Sequence, residues 1–85
     1  FKNEKKVLRN AAKSKRTRAV DKTSIKTIIQ ILTWIERNDL SEDQLSWAAW
    51  EIFERRYYLA PNQRNTAKLL RKIVSRIDTY RAFLY

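Results

Sequence analysis

The residues of this chain best suited to chemistry are its cations. Between Phe1 and Lys26 lie ten lysines and arginines (Lys2, Lys5, Lys6, Arg9, Lys13, Lys15, Arg16, Arg18, Lys22 and Lys26) against Glu4 and Asp21 alone. Eight of the ten net positive charges therefore fall in the first third of 85 residues. Wound as a helix at about 100° per residue, Lys2, Lys5, Lys6, Arg9, Lys13 and Arg16 share an arc of roughly 100°, opposite Val7 and Ala11. Lys15, Arg18, Lys22 and Lys26 form a second row. Rows of this kind hold phosphates, because each cation that meets a polyanion releases condensed counterions. A second cationic set, Arg64, Lys68, Arg71, Lys72, Arg76 and Arg81, comes late in the chain. Between the two sets, Glu36, Asp39, Glu42, Asp43, Glu51 and Glu54 stand against Arg37, giving that middle segment a net charge of −5. This acidic corner is expected to point away from any polyanion.

Other chemistry is poorly provided for. The chain has no cysteine and no histidine, hence no disulfide, no usual zinc ligand set and no Cys/His or Ser/His/Asp constellation. It has no glycine either, which removes phosphate-cradling Gly-rich loops. Glu51 and Glu54 read as solvent-facing partners of Arg55 and Tyr58 rather than as an acid/base pair. The expectation is a non-enzymatic protein with no cofactor, no metal and no small-molecule substrate. No apolar run approaches the roughly 20 residues that span a bilayer, and the early cationic stretch lacks the Trp/Phe/Leu face of an interfacial helix.

The elements that must position these cations are helical. Ile25, Ile28, Ile29, Leu32 and Ile35 match the i, i+3, i+4, i+7 template, whereas a period of two gives no contrast between faces. With no glycine or proline before Pro61, the spacing predicts one long helix over about 3–38. Its cationic front is thin in apolar residues and is expected to fray until it lies on RNA. Asn38 is expected to end it as a left-handed C-cap. Ser41-Glu42-Asp43-Gln44 is a capping box, with Leu40 and Leu45 as the hydrophobic staple and two acids at the positive end of the dipole. It opens a second helix over about 42–59, folded back antiparallel by the short connection. That helix carries one seam of Leu45, Ala48, Ala49, Ile52 and Leu59 and another of Trp50, Phe53 and Tyr57, so two neighbours are expected. Pro61 breaks it. Asn62 or Asn65 then caps a third helix over about 63–85, whose seam is Leu70, Ile73, Ile77, Tyr80 and Leu84. Its first-turn amides, flanked by Arg64 and Lys68, form a candidate phosphate site. The fold class is all-α: one domain, 1–85, a three-helix bundle with a long basic N-terminal helix. Trp34, Trp47 and Trp50 are expected mostly in the core, with Tyr57 and Tyr58, next to Arg55 and Arg56, as the candidates for stacking on bases.

Three short stretches carry a family resemblance. Asn3-Glu4-Lys5-Lys6-Val7-Leu8-Arg9-Asn10 resembles the opening of the bacterial-type small-subunit ribosomal protein S-twenty family. Arg18-Ala19-Val20 followed by Ile25-Lys26-Thr27-Ile28-Ile29 is similar to that family's central segment, and Arg64-Asn65-Thr66-Ala67 to its Lys-Asn-x-Ala. The chain departs from the family at Ala60-Pro61-Asn62-Gln63, and in the two Trp and two Tyr of its second helix. The resemblance implies a structural protein of the small ribosomal subunit, in a bacterial cytoplasm or, after removal of a transit peptide, a plastid. It implies that helices 1 and 3 bind small-subunit rRNA beside neighbouring ribosomal proteins. The RNA-binding residues would be Lys2, Lys5, Lys6, Arg9, Asn10, Lys13, Arg16, Arg18, Lys22 and Lys26 with Arg64, Asn65, Lys68, Arg71 and Lys72. The alternatives from the residues themselves are a helical interaction module whose positive faces meet an acidic protein, and a DNA-binding protein.

Overall fold

The computed structural model describes residues 1–83 and is all-α. Four helices form it: α1 (Lys2–Lys13), α2 (Ala19–Arg37), α3 (Glu42–Tyr57) and α4 (Arg64–Ala82), with a 3-10 turn at Pro61–Gln63 leading into α4. Successive helices run antiparallel. Contacts join α1 to α2, α2 to α3, α3 to α4 and α4 to α1, with no diagonal pair among the described residues. The result is an up-down-up-down ring about a shared core, 42 × 21 × 18 Å along its principal axes.

The long first helix expected over 3–38 is therefore two helices, and the bundle has four members rather than three. The reason is packing. A straight helix of 36 residues would run roughly 54 Å, longer than the 42 Å of the whole molecule, and its front would leave Leu8 and Ala12 in water. Turning back at Ser14–Arg18 buries both. Complete burial of one leucine is worth about 2 kcal/mol, more than the weak propensity that would keep a Gly-free segment straight. The inward stripe of α1 is Phe1, Lys5, Leu8 and Ala12, at i, i+4, i+7, i+11.

The other stripes follow the spacing read from the sequence. Ile25, Ile28, Ile31 and Leu32 from α2, Leu45, Ala48, Ala49 and Ile52 from α3, and Leu70, Ile73 and Ile77 from α4 complete the core. The capping box of α3 is formed on both sides: the Gln44 N–H donates to Ser41 Oγ at 3.2 Å and the Ser41 N–H to Gln44 Oε1 at 2.9 Å. Leu40 packs against the core beside buried Leu45, as a staple requires. Asn38 departs from expectation. It is extended, at φ −131° and ψ 150°, and its side-chain amide donates to the Trp34 carbonyl at 2.9 Å, so the helix end is closed by a side chain and not by a left-handed residue. Tyr80 of the α4 seam is half exposed, and Leu84 lies outside the described residues.

Candidate nucleic-acid interface

The up-down arrangement gathers two connections at one end of the bundle, α1 to α2 (Ser14–Arg18) and α3 to α4 (Tyr58–Gln63). At the other end lie the chain start, the α2–α3 turn and the end of α4. The two ends are built differently. Among the described residues the four buried polar ones, Thr17, Asp21, Gln63 and Thr66, lie under the paired connections. Thr17 donates its hydroxyl to the Ala11 carbonyl at 2.7 Å and accepts from Gln63 Nε2 at 3.0 Å; the Gln63 Oε1 in turn accepts from Thr66 Oγ1 at 3.0 Å. Asn62 Nδ2 donates to the Arg16 carbonyl at 3.1 Å. Asp21 occupies the next inward position before Ile25, Ile28 and Leu32 and is 2 % exposed. It accepts two hydrogen bonds from the Arg18 guanidinium, at 3.0 and 3.1 Å, and the Ala60 N–H at 3.4 Å. Arg18 also donates to the Tyr58 carbonyl at 3.2 Å. Those bonds, Arg18's foremost, hold the Asp21 carboxyl below the usual carboxylate range against the opposing effect of burial. The hydrogen-bonded Asp21 carboxylate in turn raises Arg18.

This network holds still the connections that carry Lys15, Arg16 and Arg18, and it launches α4 with Arg64 and Lys68 exposed beside them. Dividing each helix at its midpoint shows where the charge lies. The half with the paired connections (residues 8–27 and 50–73) holds thirteen lysines and arginines against Asp21, Glu51 and Glu54; the opposite half holds six of each sign. The whole net charge thus belongs to one half of the molecule. Among the described residues only Arg18 and Arg55 of those thirteen form ion pairs, Arg55 with Glu51 at 2.5 Å. The opposite half neutralises itself. Lys5 meets Glu36 at 2.5 Å, the Phe1 ammonium approaches Glu36 at 3.6 Å, Arg76 pairs with Glu4, and Arg81 bridges Glu42 at 2.5 Å and Asp78 at 3.0 Å. Lys5 foremost, then the N-terminal ammonium, lowers the Glu36 carboxyl; Glu42 foremost raises Arg81.

The structure sorts the sequence candidates accordingly. Lys2, Lys6, Arg9 and Lys13 lie exposed along the outer face of α1, with Asn10 exposed next to Arg9. Lys26 is exposed and Lys22 half-buried, both in register with the side of α2 that faces α1. Arg64, Asn65, Lys68, Arg71 and Lys72 are exposed on α4, which adjoins α1, so the two cationic sets far apart in sequence lie on neighbouring helices and approach each other at the paired connections, where Asn62 meets the Arg16 carbonyl. Two candidates leave the set. Lys5 sits on the inward stripe of α1, its side chain only 16 % exposed and committed to Glu36. Arg18 is committed to Asp21 and Tyr58. Arg16 remains exposed but belongs to the connection, since α1 ends at Lys13. Neither asparagine caps α4: its N-cap is Gln63, without a side-chain cap bond, and Asn62 reaches across to the first connection.

Sequence reasoning missed Thr17, Asp21, Gln63 and Thr66 as the posts beneath this surface. One signal was present, since Asp21 falls in register with Ile25, Ile28 and Leu32, where an unpaired charge would be costly. The tryptophans are a second correction. Trp47 and Trp50 are 52 % and 60 % exposed; α3 does have two neighbours, α2 and α4, but the Trp50, Phe53 and Tyr57 line lies largely in solvent outside its contacts with them. Trp34 is half-buried and edge-on to Trp47, ring centroids 5.7 Å apart. Among the described residues no acidic cluster suits a metal ion, and no helix is long and apolar enough to cross a membrane. Comparison with protein-family models, curated proteins and solved structures finds no match to this chain.

Proposed function

We propose that this protein is a non-enzymatic, structural RNA-binding protein that docks its cationic half on the phosphates of folded RNA. The observation that carries the reading is the asymmetry of charge: one half holds the whole net charge and keeps eleven of its thirteen cations free of ion pairs among the described residues, while the other balances six cations with six acids and pairs Lys5, Arg76 and Arg81. Leaving like charges close together destabilises a fold unless something outside neutralises them. Phosphates at the spacing of an RNA backbone do so, with counterion release as the driving force. The network of Thr17, Asp21, Gln63 and Thr66 fixes the two connections, so little ordering is needed when Lys15, Arg16, Arg64 and Lys68 meet their ligand. Small-subunit rRNA, in a bacterial or plastid ribosome, is the RNA that the three resembling sequence stretches propose. The straight first helix implied by that resemblance is not how this chain folds. The phosphate contacts are accordingly divided between the neighbouring helices α1 and α4 and the connections that lead out of them, not carried by one extended arm.

Two measurements test this. Titration of the full chain with transcribed small-subunit rRNA is expected to give an affinity that falls steeply with salt, and the protein is expected to sediment with small ribosomal subunits. Equal affinity for polyglutamate and RNA at the same salt would replace RNA by an acidic protein partner. RNA binding without subunit sedimentation would keep the RNA and discard the ribosome.

A further inference from the structure

The outer side of α3 carries a line of aromatic side chains open to water. Trp50, Phe53 and Tyr57, at i, i+3 and i+7, are 60 %, 37 % and 75 % exposed. Trp50 and Phe53 stack, centroids 5.8 Å apart and planes 28° apart. Beside this line runs an open groove of about 630 Å³ between α3 and α4, lined by Phe53, Arg56, Arg71 and Val74 among others, and continued past Trp50 by a smaller one. On its far bank stands Arg71, and beyond the groove's end Lys68 and Arg64 continue the row along α4 at three and four residues. The two helices are antiparallel neighbours, so the aromatic line runs toward these cations: Trp50 lies beside Asp78 and Arg81, Phe53 shares the groove with Arg71, and Tyr57 is one turn further on. The Arg56 guanidinium lies 5.1 Å from the Phe53 ring centre, and its buried Nε–H has no acceptor among the described residues. Glu54, exposed on the same outer side, does not line the groove, and the Asp78 that does is paired with Arg81.

We propose that this groove, with the exposed rings of α3 and the cationic row that continues it along α4, takes a single-stranded segment of RNA, its bases on Trp50, Phe53 and Tyr57 and its phosphates on Arg71, Lys68 and Arg64. The inference rests on the RNA reading above and deepens it. The α4 cations form the border between the phosphate face of α1 and α4 and the aromatic face of α3, so a strand leaving a duplex on the first surface is led onto the second. Stacking on rings beside a cationic ridge is how proteins hold unpaired nucleotides without reading sequence. A duplex cannot use the rings, because its bases are already stacked and paired. An anionic membrane would also meet aromatics next to cations, but a membrane needs only apolar area, whereas base stacking needs the ring faces.

That difference makes the test. The full chain and the variant W50L/F53L/Y57L, which keeps apolar area and removes the rings, are titrated against a blunt RNA duplex, the same duplex with a single-stranded oligouridine tail, and phosphatidylglycerol vesicles. All three positions are exposed, and circular dichroism checks that both proteins are equally helical. The expected result is tighter binding of the tailed RNA by the wild type, a loss of tenfold or more for the tailed RNA in the variant, and unchanged affinity for the blunt duplex. Equal affinity for tailed and blunt RNA, insensitive to the three substitutions, overturns the single-strand proposal and leaves the RNA reading intact. Vesicle binding retained by the variant, with tailed and blunt RNA bound alike, assigns the face to a membrane instead. Binding of neither RNA by the wild type overturns both readings.

Discussion

The two ends of this bundle solve opposite problems with the same residue types. At the end holding the chain start and the α2–α3 turn, cations and carboxylates meet one another: Lys5 on Glu36, Arg76 on Glu4, Arg81 on Glu42 and Asp78. Under the paired connections, a layer of buried neutral polar groups and one carboxylate joins the backbone segments while the surrounding cations stay in water. Sharing a net charge is therefore a matter of which cations have internal partners. The compensated end contributes to folding; the uncompensated end is available to a ligand.

The largest expected effect breaks the comparison by removing its scaffold. Leu8→Ala empties a fully buried site that exists only because α1 folds back, and should cost about 3 kcal/mol in chemical denaturation. Hydrogen exchange in the free protein should show protection from Leu8 to Ala12. A straight, frayed arm would show neither.

A smaller effect is expected at the carboxylate beneath the cationic end. Asp21→Ala removes the acceptor of Arg18 and of the Ala60 N–H and should lower stability by about 2 kcal/mol. The sign of the pH dependence follows from the lowered carboxyls. Asp21 and Glu36 contribute stability that is fully present above the unfolded carboxylate range of about pH 4. It is lost as pH falls through their lower folded values. Thermal melts down this range should show a steeper loss for the wild type than for Asp21→Ala; parallel curves would mean that Asp21 is not held ionised by the fold.

The smallest effect sharpens the contrast. Lys5→Ala should change stability by about 1 kcal/mol, since the Glu36 carboxylate it meets is a third exposed and screened by water. It should leave the salt dependence of RNA binding untouched, because that ammonium is committed to Glu36.

Much of the fold was legible because local rules and packing agreed. The capping box at Ser41, the Ile25–Ile35 stripe and the Leu70–Ile73–Ile77 seam each satisfied both. The break at Ser14–Arg18 was not legible from glycine or proline, because there is none; it is made by Thr17 returning to the Ala11 carbonyl and by the need to bury Leu8. Of the candidate site, the cationic residues were legible by type, but which of them stay available was not. Ion pairs such as Lys5 with Glu36, 31 residues apart in the chain, depend on the hairpin that the uninterrupted helix reading excluded. Trp47 and Trp50 were assigned to a core because helical spacing alone does not say how far a face turns outward from the neighbours on either side.

The claim that one end of the molecule is reserved for phosphate is tested most directly by comparing two sets of charge removals. Lys15, Arg16, Arg64 and Lys68→Ala should lower the slope of log K against log salt by about 3, at roughly 0.7 to 0.9 per phosphate contact. Removal of the compensated end's cations, Lys5, Arg76 and Arg81→Ala, should leave that slope unchanged on the same small-subunit rRNA. Equal loss of slope from the two sets would contradict the account, because it would mean that net charge, and not its placement by the fold, governs binding.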